Sequence, residues 1–236
     1  MKIALVLAGG IGSRMGQDIP KQFIHVQDKP IIIHTLLALQ KHSEIDRIHV
    51  VCINGWEDVL AAYAKQFKIT KLTGISAGGG TRYESTHAGM LALGNVQDDD
   101  IIILHDAVRP LVTAATLSDV VIVCQKHGNA MAVIPCTDTM YSRSGTTADS
   151  TSKMADRQLL VRGQTPEAVT GKRMKEMYQK AEKENLQNDS ISALQIALGW
   201  DVYFACGSER NLKLTRSEDI ELFKALLTVQ KDEWLK

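Results

Sequence analysis

The chain has 236 residues, 44% hydrophobic and 23% charged, a balance that suits one large α/β domain with a sizeable buried core. Its 27 basic and 27 acidic residues cancel, which speaks against bulk nucleic-acid binding, and an aromatic share of 5% supplies few platforms for base stacking. Cys52, Cys124, Cys136 and Cys206 fall in or beside apolar runs without CxxC or His/Cys spacing, so they read as buried inert thiols and not as zinc ligands.

Residues 2–8 read as a buried strand. No signal-like segment precedes it and no span reaches transmembrane length, so a cytoplasmic protein without a membrane partner is expected. The strand runs into AGGIGSRMG. A dinucleotide fingerprint would need G-x-G-x-x-G and an acid about twenty residues on; Met15 stands where the third glycine belongs, and the acid is missing. A Walker loop fails because GK[ST] is absent. What remains is a glycine turn, at residues 9–13, whose backbone N–H groups can approach an anion, with Arg14 and Lys21 as cations beside it.

Strand and helix patterns then alternate: helix 30–41, strand 47–53, helix 57–67, strand 69–75, helix 82–93, strand 101–104, helix 117–127 and strand 130–134. Such a rhythm predicts a largely parallel sheet with helices on both faces and ligands at the carboxyl ends of the strands. Two segments sit at such ends. SAGGGTRYES (76–85) follows a strand and opens a helix with Arg82 and Ser85, forming a second pocket wall that would face a base or ribose. ILHDAVRP (103–110) places Asp106 where its oxygens could hold a divalent cation bridging phosphates, and Arg109 where it could take an anionic substrate. His105 reads equally well as a hydrogen-bonded structural histidine.

Residues 137–157 break the rhythm. The Ser/Thr-rich MYSRSGTTADSTSKM lies between the short runs TDTMY and QLLVR, the pattern of a projecting hairpin arm, with a linker as the other reading. An arm buries little against its own domain and so points to dimerisation. Helices at 171–184 and 190–198, a strand at 201–206 and a helix at 217–231 complete the chain, with no repeat or second domain, so residues 1–236 read as one domain. RGQTPE (162–167) sets Thr165 before a proline, and ERNLKLT (209–215) carries Lys213. Asp189, in NDS before a helix, reads first as a cap.

LAGGIGSRMG, PKQF, AGGGTRYES, HDAVRP, the TDT at 137–139, the DR at 156–157, GQTPE, NDS and NLKLT occur in order over nearly the whole chain. The set resembles the cytidylyltransferases that act on methylerythritol phosphate or ribitol phosphate. That resemblance implies a Rossmann-like three-layer nucleotidyltransferase fold, a mostly parallel sheet flanked by helices, with 137–157 as a β-arm. It implies transfer of CMP from CTP to a polyol phosphate, with Mg²⁺ required and pyrophosphate released. Leu7, Ala8, Gly9, Gly10, Gly12, Ser13, Gly79, Arg82 and Ser85 would bind the nucleotide. Arg14, Lys21 and Lys213 would be the catalytic cations and Asp106 the metal ligand. Arg109, Thr139, Arg157, Thr165 and Asp189 would serve the acceptor, with Arg157 delivered into the neighbouring site of a homodimer.

For the acceptor, LAGG, KPIIIHT, the uncharged Thr137 and the Gly of GQTP resemble the ribitol-phosphate branch, whereas NDSIS is closer to the methylerythritol branch; the resemblance implies ribitol 5-phosphate as acceptor, with methylerythritol 4-phosphate or another polyol phosphate as the alternatives. Glu167 stands where TPQ is usual in the family. The competing classes fare worse. An NAD-linked reductase would need the missing glycine and acid, and a non-catalytic nucleotide-binding protein would have no call for both Lys21 and Asp106.

Overall fold

The computed structural model describes residues 1–10, 19–147 and 149–229. Its first strand, β1 (Lys2–Ala8), is apolar at every position after Lys2 because both of its faces are covered. Ile3, Leu5 and Leu7 belong to one core cluster, and Ala4, Val6 and Ala8 to another. A 3-10 turn at Lys21–Phe23 and a small hairpin, β2 (His25–Val26) with β3 (Lys29–Pro30), lead into α1 (Ile31–Lys41). Then come β4 (Arg47–Cys52), α2 (Glu57–Gln66), β5 (Leu72–Ala77), α3 (Arg82–Ala92), β6 (Ile101–Asp106), α4 (Ala114–His127) and β7 (Asn129–Pro135). After β8 (Met140–Ser142) and β9 (Lys153–Ala155) follow β10 (Val161–Thr170), α5 (Gly171–Lys183), α6 (Ile191–Ala197), β11 (Phe204–Cys206) and α7 (Ser217–Val229).

Seven strands make one sheet in the order β11-β7-β10-β6-β1-β4-β5. The β1–β4, β1–β6, β4–β5 and β7–β11 pairs are parallel. The helices α1, α2 and α4 pack on one face, and α3, α5 and α6 on the other. The third layer expected from strand–helix alternation is therefore present, and α7 closes a smaller cluster through the buried Phe223. Among the described residues no helix is long and apolar enough to cross a membrane.

Two expectations need correction. RGQTPE (162–167), read as a rigid pre-proline setting and not as a strand, lies within a ten-residue strand in mid-sheet, β10, antiparallel to both β6 and β7. Pro166 argues against a central strand because it cannot donate to the ladder. Here it falls in the register shift between Gln164 and Glu167, where the ladder is already interrupted, and the Thr165–Pro166 bond is cis. Strand β6 runs two residues past the apolar stretch 101–104, and His105 and Asp106 end it at the sheet's carboxyl edge, where Asp106 was expected. Finally, Cys206 is exposed on the edge strand β11, while Cys52, Cys124 and Cys136 are buried as expected; burial pushes the Cys52 and Cys124 thiols up to about 12.

The 137–157 segment does form an antiparallel hairpin of its own, with Met140 opposite Ala155 and Ser142 opposite Lys153. Its strands are exposed at almost every position.

Candidate active site

Parallel pairing aligns the ends of β1, β6 and β4, since Leu7 pairs with Asp106 and Ala8 with Cys52. The chain turns after β1 through Gly9 and Gly10, and the buried Gln22 fastens that turn by donating to the carbonyls of Ala8 (2.7 Å) and Gly10 (3.2 Å). The second wall enters from β5. Gly78 donates to the Cys52 carbonyl, and Thr81 caps α3 in a reciprocal pair with Glu84. Gly79 must lack a side chain, because a Cβ there would come within 2.4 Å of Glu84 Cβ. Ser85 Oγ accepts from the Gly79 N–H at 3.0 Å. The two glycine turns border a cavity of about 380 Å³ lined by Leu7, Gly9, Gly10, Gly79, Gly80, Thr81, Arg82 and Ser85. Gly80 and Thr81 were not among the residues expected at the nucleotide; the other six were.

Beside this cavity the carboxylate of Asp106 is buried and receives three cations. Arg82 Nη1 reaches Oδ1 at 2.8 Å; Arg109 Nε and Lys213 Nζ reach Oδ2 at 3.2 and 3.1 Å. Burial alone would raise this carboxyl, but the charges of Arg82, Lys213 and Arg109 outweigh it and hold it far below the usual carboxylate range. The Asp106 N–H donates to Thr165 Oγ1 at 3.1 Å, which ties β10 to the same point. Next to it, burial lowers the His105 imidazole to about 4, so this ring is neutral; its Nε2 meets the Arg109 carbonyl at 3.2 Å. The structural reading of His105 is the one that holds.

Arg109 lies inward. Besides Asp106 it donates through Nη1 to the Asn211 carbonyl at 2.7 Å, so both contacts brace the cluster. Arg82 spans the pocket, with Nε on the Asp189 carbonyl at 2.7 Å and Nη1 on Asp106. Asp189 therefore enters through its backbone. The cap of α6 is its neighbour Ser190, whose Oγ accepts from Ala193 N–H. Thr139 and Arg157 stay exposed on the arm, where Arg157 Nη1 donates to the Thr137 carbonyl; within one chain they do not join the cluster. Lys21 lies in the turn whose next residue, Gln22, grips the glycine loop. Gly12, Ser13 and Arg14 fall outside the described residues.

Several supporting residues were not anticipated. The fully buried Asn211 donates to Gln164 Oε1 and to the Thr165 carbonyl, joining the segment that carries Lys213 to β10. Glu167, also buried, accepts from Ser192. A three-dimensional signal is needed for these, because their partners lie 25 to 47 residues away.

Residues 2–229 match the family described as IspD, 2-C-methyl-D-erythritol 4-phosphate cytidylyltransferase. The chain belongs to that family. As a member of the IspD family it is a nucleotidyltransferase of the cytidylyltransferase kind. It is 39% identical over 231 residues to a ribitol-5-phosphate cytidylyltransferase of Lacticaseibacillus paracasei, covering 96% of this chain and 98% of the relative. It is 34% identical over 226 residues to a 2-C-methyl-D-erythritol 4-phosphate cytidylyltransferase of Syntrophus aciditrophicus, covering 95% of each. The fold matches the crystal structure of 4-diphosphocytidyl-2C-methyl-D-erythritol synthase from Anaerococcus prevotii with a TM-score of 0.81 at 23% identity, over 96% of this chain and 98% of that one. The expected Rossmann-like nucleotidyltransferase architecture is thus the one the IspD-family chain adopts.

Proposed function

We propose that the protein transfers CMP from CTP to ribitol 5-phosphate, giving CDP-ribitol and pyrophosphate. The observation that carries the reading is the gathering of Arg82, Arg109 and Lys213 on one buried carboxylate beside a glycine-lined cavity. An acceptor phosphate oxygen is already nucleophilic near neutral pH, so no proton-abstracting base is required, in keeping with a neutral, buried His105. Its oxygen forms a bond to the α-phosphorus of CTP while the bond from that phosphorus to the bridging oxygen breaks and pyrophosphate departs. The difficulty lies in bringing two anions together and carrying the charge that builds on phosphorus and the leaving group. Backbone N–H groups of the glycine turns suit the triphosphate, and Lys213, the most exposed partner of Asp106 at 38%, can turn toward the reacting phosphates. Lys21 and Arg14 are assigned to the same phosphates.

Mg²⁺ is proposed as cofactor. The donor set fits it as a hard-oxygen site with one protein ligand, since Mg²⁺ is commonly held by one or two carboxylates together with substrate phosphates. Asp106 is that carboxylate, and among the described residues no cluster of three His, Cys, Asp or Glu offers another site. When bound, the ion neutralises triphosphate charge. Lys213 is the contact on Asp106 best able to give way to it.

The ribitol assignment is supported by the Lacticaseibacillus relative and by the LAGG and GQTP signatures. The NDSIS sequence and the Syntrophus relative favour methylerythritol phosphate as the second reading. We assign Thr139 and Arg157 to the acceptor of a partner subunit, with the arm as the dimer contact, because its apolar side chains Met140, Tyr141 and Met154 are exposed at 41%, 62% and 69%. Pyrophosphate release with CTP and Mg²⁺ tests the assignment. A kcat/KM at least about tenfold higher for ribitol 5-phosphate than for methylerythritol 4-phosphate is expected. The reverse ratio would overturn the acceptor, and no turnover with either would overturn the reaction.

A further inference from the structure

Glu167 is a carboxylate placed on an apolar face. It pairs laterally with Leu104 on β6 and Met131 on β7, and shares the side of β10 occupied by Val169, which packs with Ile191 and Leu194 of α6. It is 4% exposed. Burial raises its pKa, with the Asp106 charge acting the same way, while its two bonds with Ser192 and the charge of Arg82 act against that. Burying an ionisable group in such a layer is unfavourable, and an apolar side chain would close the core at least as well. What the carboxylate adds is directional: its Oε2 accepts from both Ser192 N–H at 2.9 Å and Ser192 Oγ at 2.8 Å. Those bonds pin the start of α6 to the sheet. Two residues before, Ser190 caps the same helix, and the preceding Asp189 carbonyl receives Arg82 Nε.

We propose that Glu167 is a positioning residue for Arg82. By fastening Ser192 to β10 it fixes the 189–192 segment, and the Asp189 carbonyl then holds Arg82 across the glycine-lined cavity and against Asp106. The arginine has two anchors. Asp106 restrains one guanidinium nitrogen, which leaves the side chain free to pivot about that contact; the Asp189 carbonyl removes the pivot. The second anchor is only as fixed as the segment that bears it. The function of Glu167 lies in its acceptor oxygen more than in its charge, since one oxygen takes both Ser192 donors.

This inference deepens the cytidylyl-transfer reading and rests on it for kinetics, so its primary readout is CTP binding by calorimetry, which needs no acceptor. Glu167→Leu is expected to weaken CTP binding about tenfold, at the upper end for loss of an ordinary hydrogen bond, with a parallel fall in kcat/KM. Glu167→Gln, which keeps the accepting oxygen, is expected to stay within about threefold of wild type. In an Arg82→Ala background Glu167→Leu should add nothing further, because a residue acting through Arg82 has no route once the arginine is gone. A full tenfold loss persisting in that background, or wild-type binding by Glu167→Leu, would overturn the proposal. Should Glu167→Leu fail to fold, Ser192→Ala removes one of the two donors while leaving Glu167 in place, and the same cycle with Arg82→Ala decides. Absence of turnover with every polyol phosphate would instead count against the reaction and leave the binding cycle intact.

Discussion

Asp106 binds the two halves of the pocket to one another, because Arg82 arrives from α3, Arg109 from the turn after β6, and Lys213 from the segment before α7. Removing its charge leaves three cations facing one another at a nearly closed site. Asp106→Asn is therefore expected to lower kcat/KM by roughly 100-fold or more in a pyrophosphate-release assay, since both the geometry and the charge balance at the phosphates are lost. It should also cost about 3 kcal/mol in urea unfolding, toward the lower end for a broken buried ion pair because Arg82 and Lys213 retain water contact. A variant as stable as wild type would show that the cluster relaxes without its anion. This residue was legible in the sequence, being a lone acid after four apolar residues and a histidine at a strand end, followed three residues later by an arginine. The inward orientation of Arg109 was not legible, because its second partner, the Asn211 carbonyl, is brought near only by the path of the chain around β10. Asn211 itself lay inside a motif noticed for its lysine.

At the scale of elements, the apolar strands and amphipathic helices announced themselves through periodicity, whereas β10 did not. Its middle reads GQTPE, with a proline and three polar residues, and those residues turn out to build the site: Gln164 holds Asn211, Thr165 receives the Asp106 N–H, and Glu167 holds Ser192. Sequence pattern misleads where a strand gives up ladder bonds and apolar faces in order to carry function. Helix α3 makes the complementary point, since its position depends on an absence. A Cβ on Gly89 would lie 2.4 Å from Val51 Cγ2 and 3.0 Å from Leu5 Cδ1, both in the buried layer beneath the helix. Helix propensity alone would favour Gly89→Ala by about 1 kcal/mol. Overpacking a closed layer costs about 1–3 kcal/mol, and a β-branched neighbour in a central strand has little room to yield. The clash should win. Gly89→Ala is expected to lower the melting temperature and to raise KM for CTP by lifting Arg82 and Ser85 off the opposite glycine turn; a higher melting temperature would show that propensity dominates.

For the whole molecule, net charge is zero, yet three cations converge at one sheet edge, so positive charge is concentrated locally and not spread as an overall field. Two residues assigned to the acceptor, Thr139 and Arg157, are the ones the single chain leaves outside that concentration. They sit on an exposed hairpin whose strands carry the exposed Tyr141 and Met154, a placement that a second protomer would account for. If the arm of one chain completes the site of another, defects in the core and in the arm must complement each other. Lys21→Ala and Arg157→Ala, each expected to be close to inactive alone, would be co-refolded at equal amounts. Half of the dimers are then mixed, and each mixed dimer has one site with an intact Lys21 and an intact Arg157 from its partner. Recovery of about a quarter of wild-type activity is expected from that arithmetic for a two-fold dimer with exchanged arms. If Arg157 served its own protomer, every site in every mixture would carry one defect or the other only in proportion to its own chain, and mixing would restore nothing above the average of the two variants. The same mixture run as a sedimentation experiment separates the causes of failure: dimers without recovery place Arg157 outside the partner's site, and monomers remove the arm from assembly altogether.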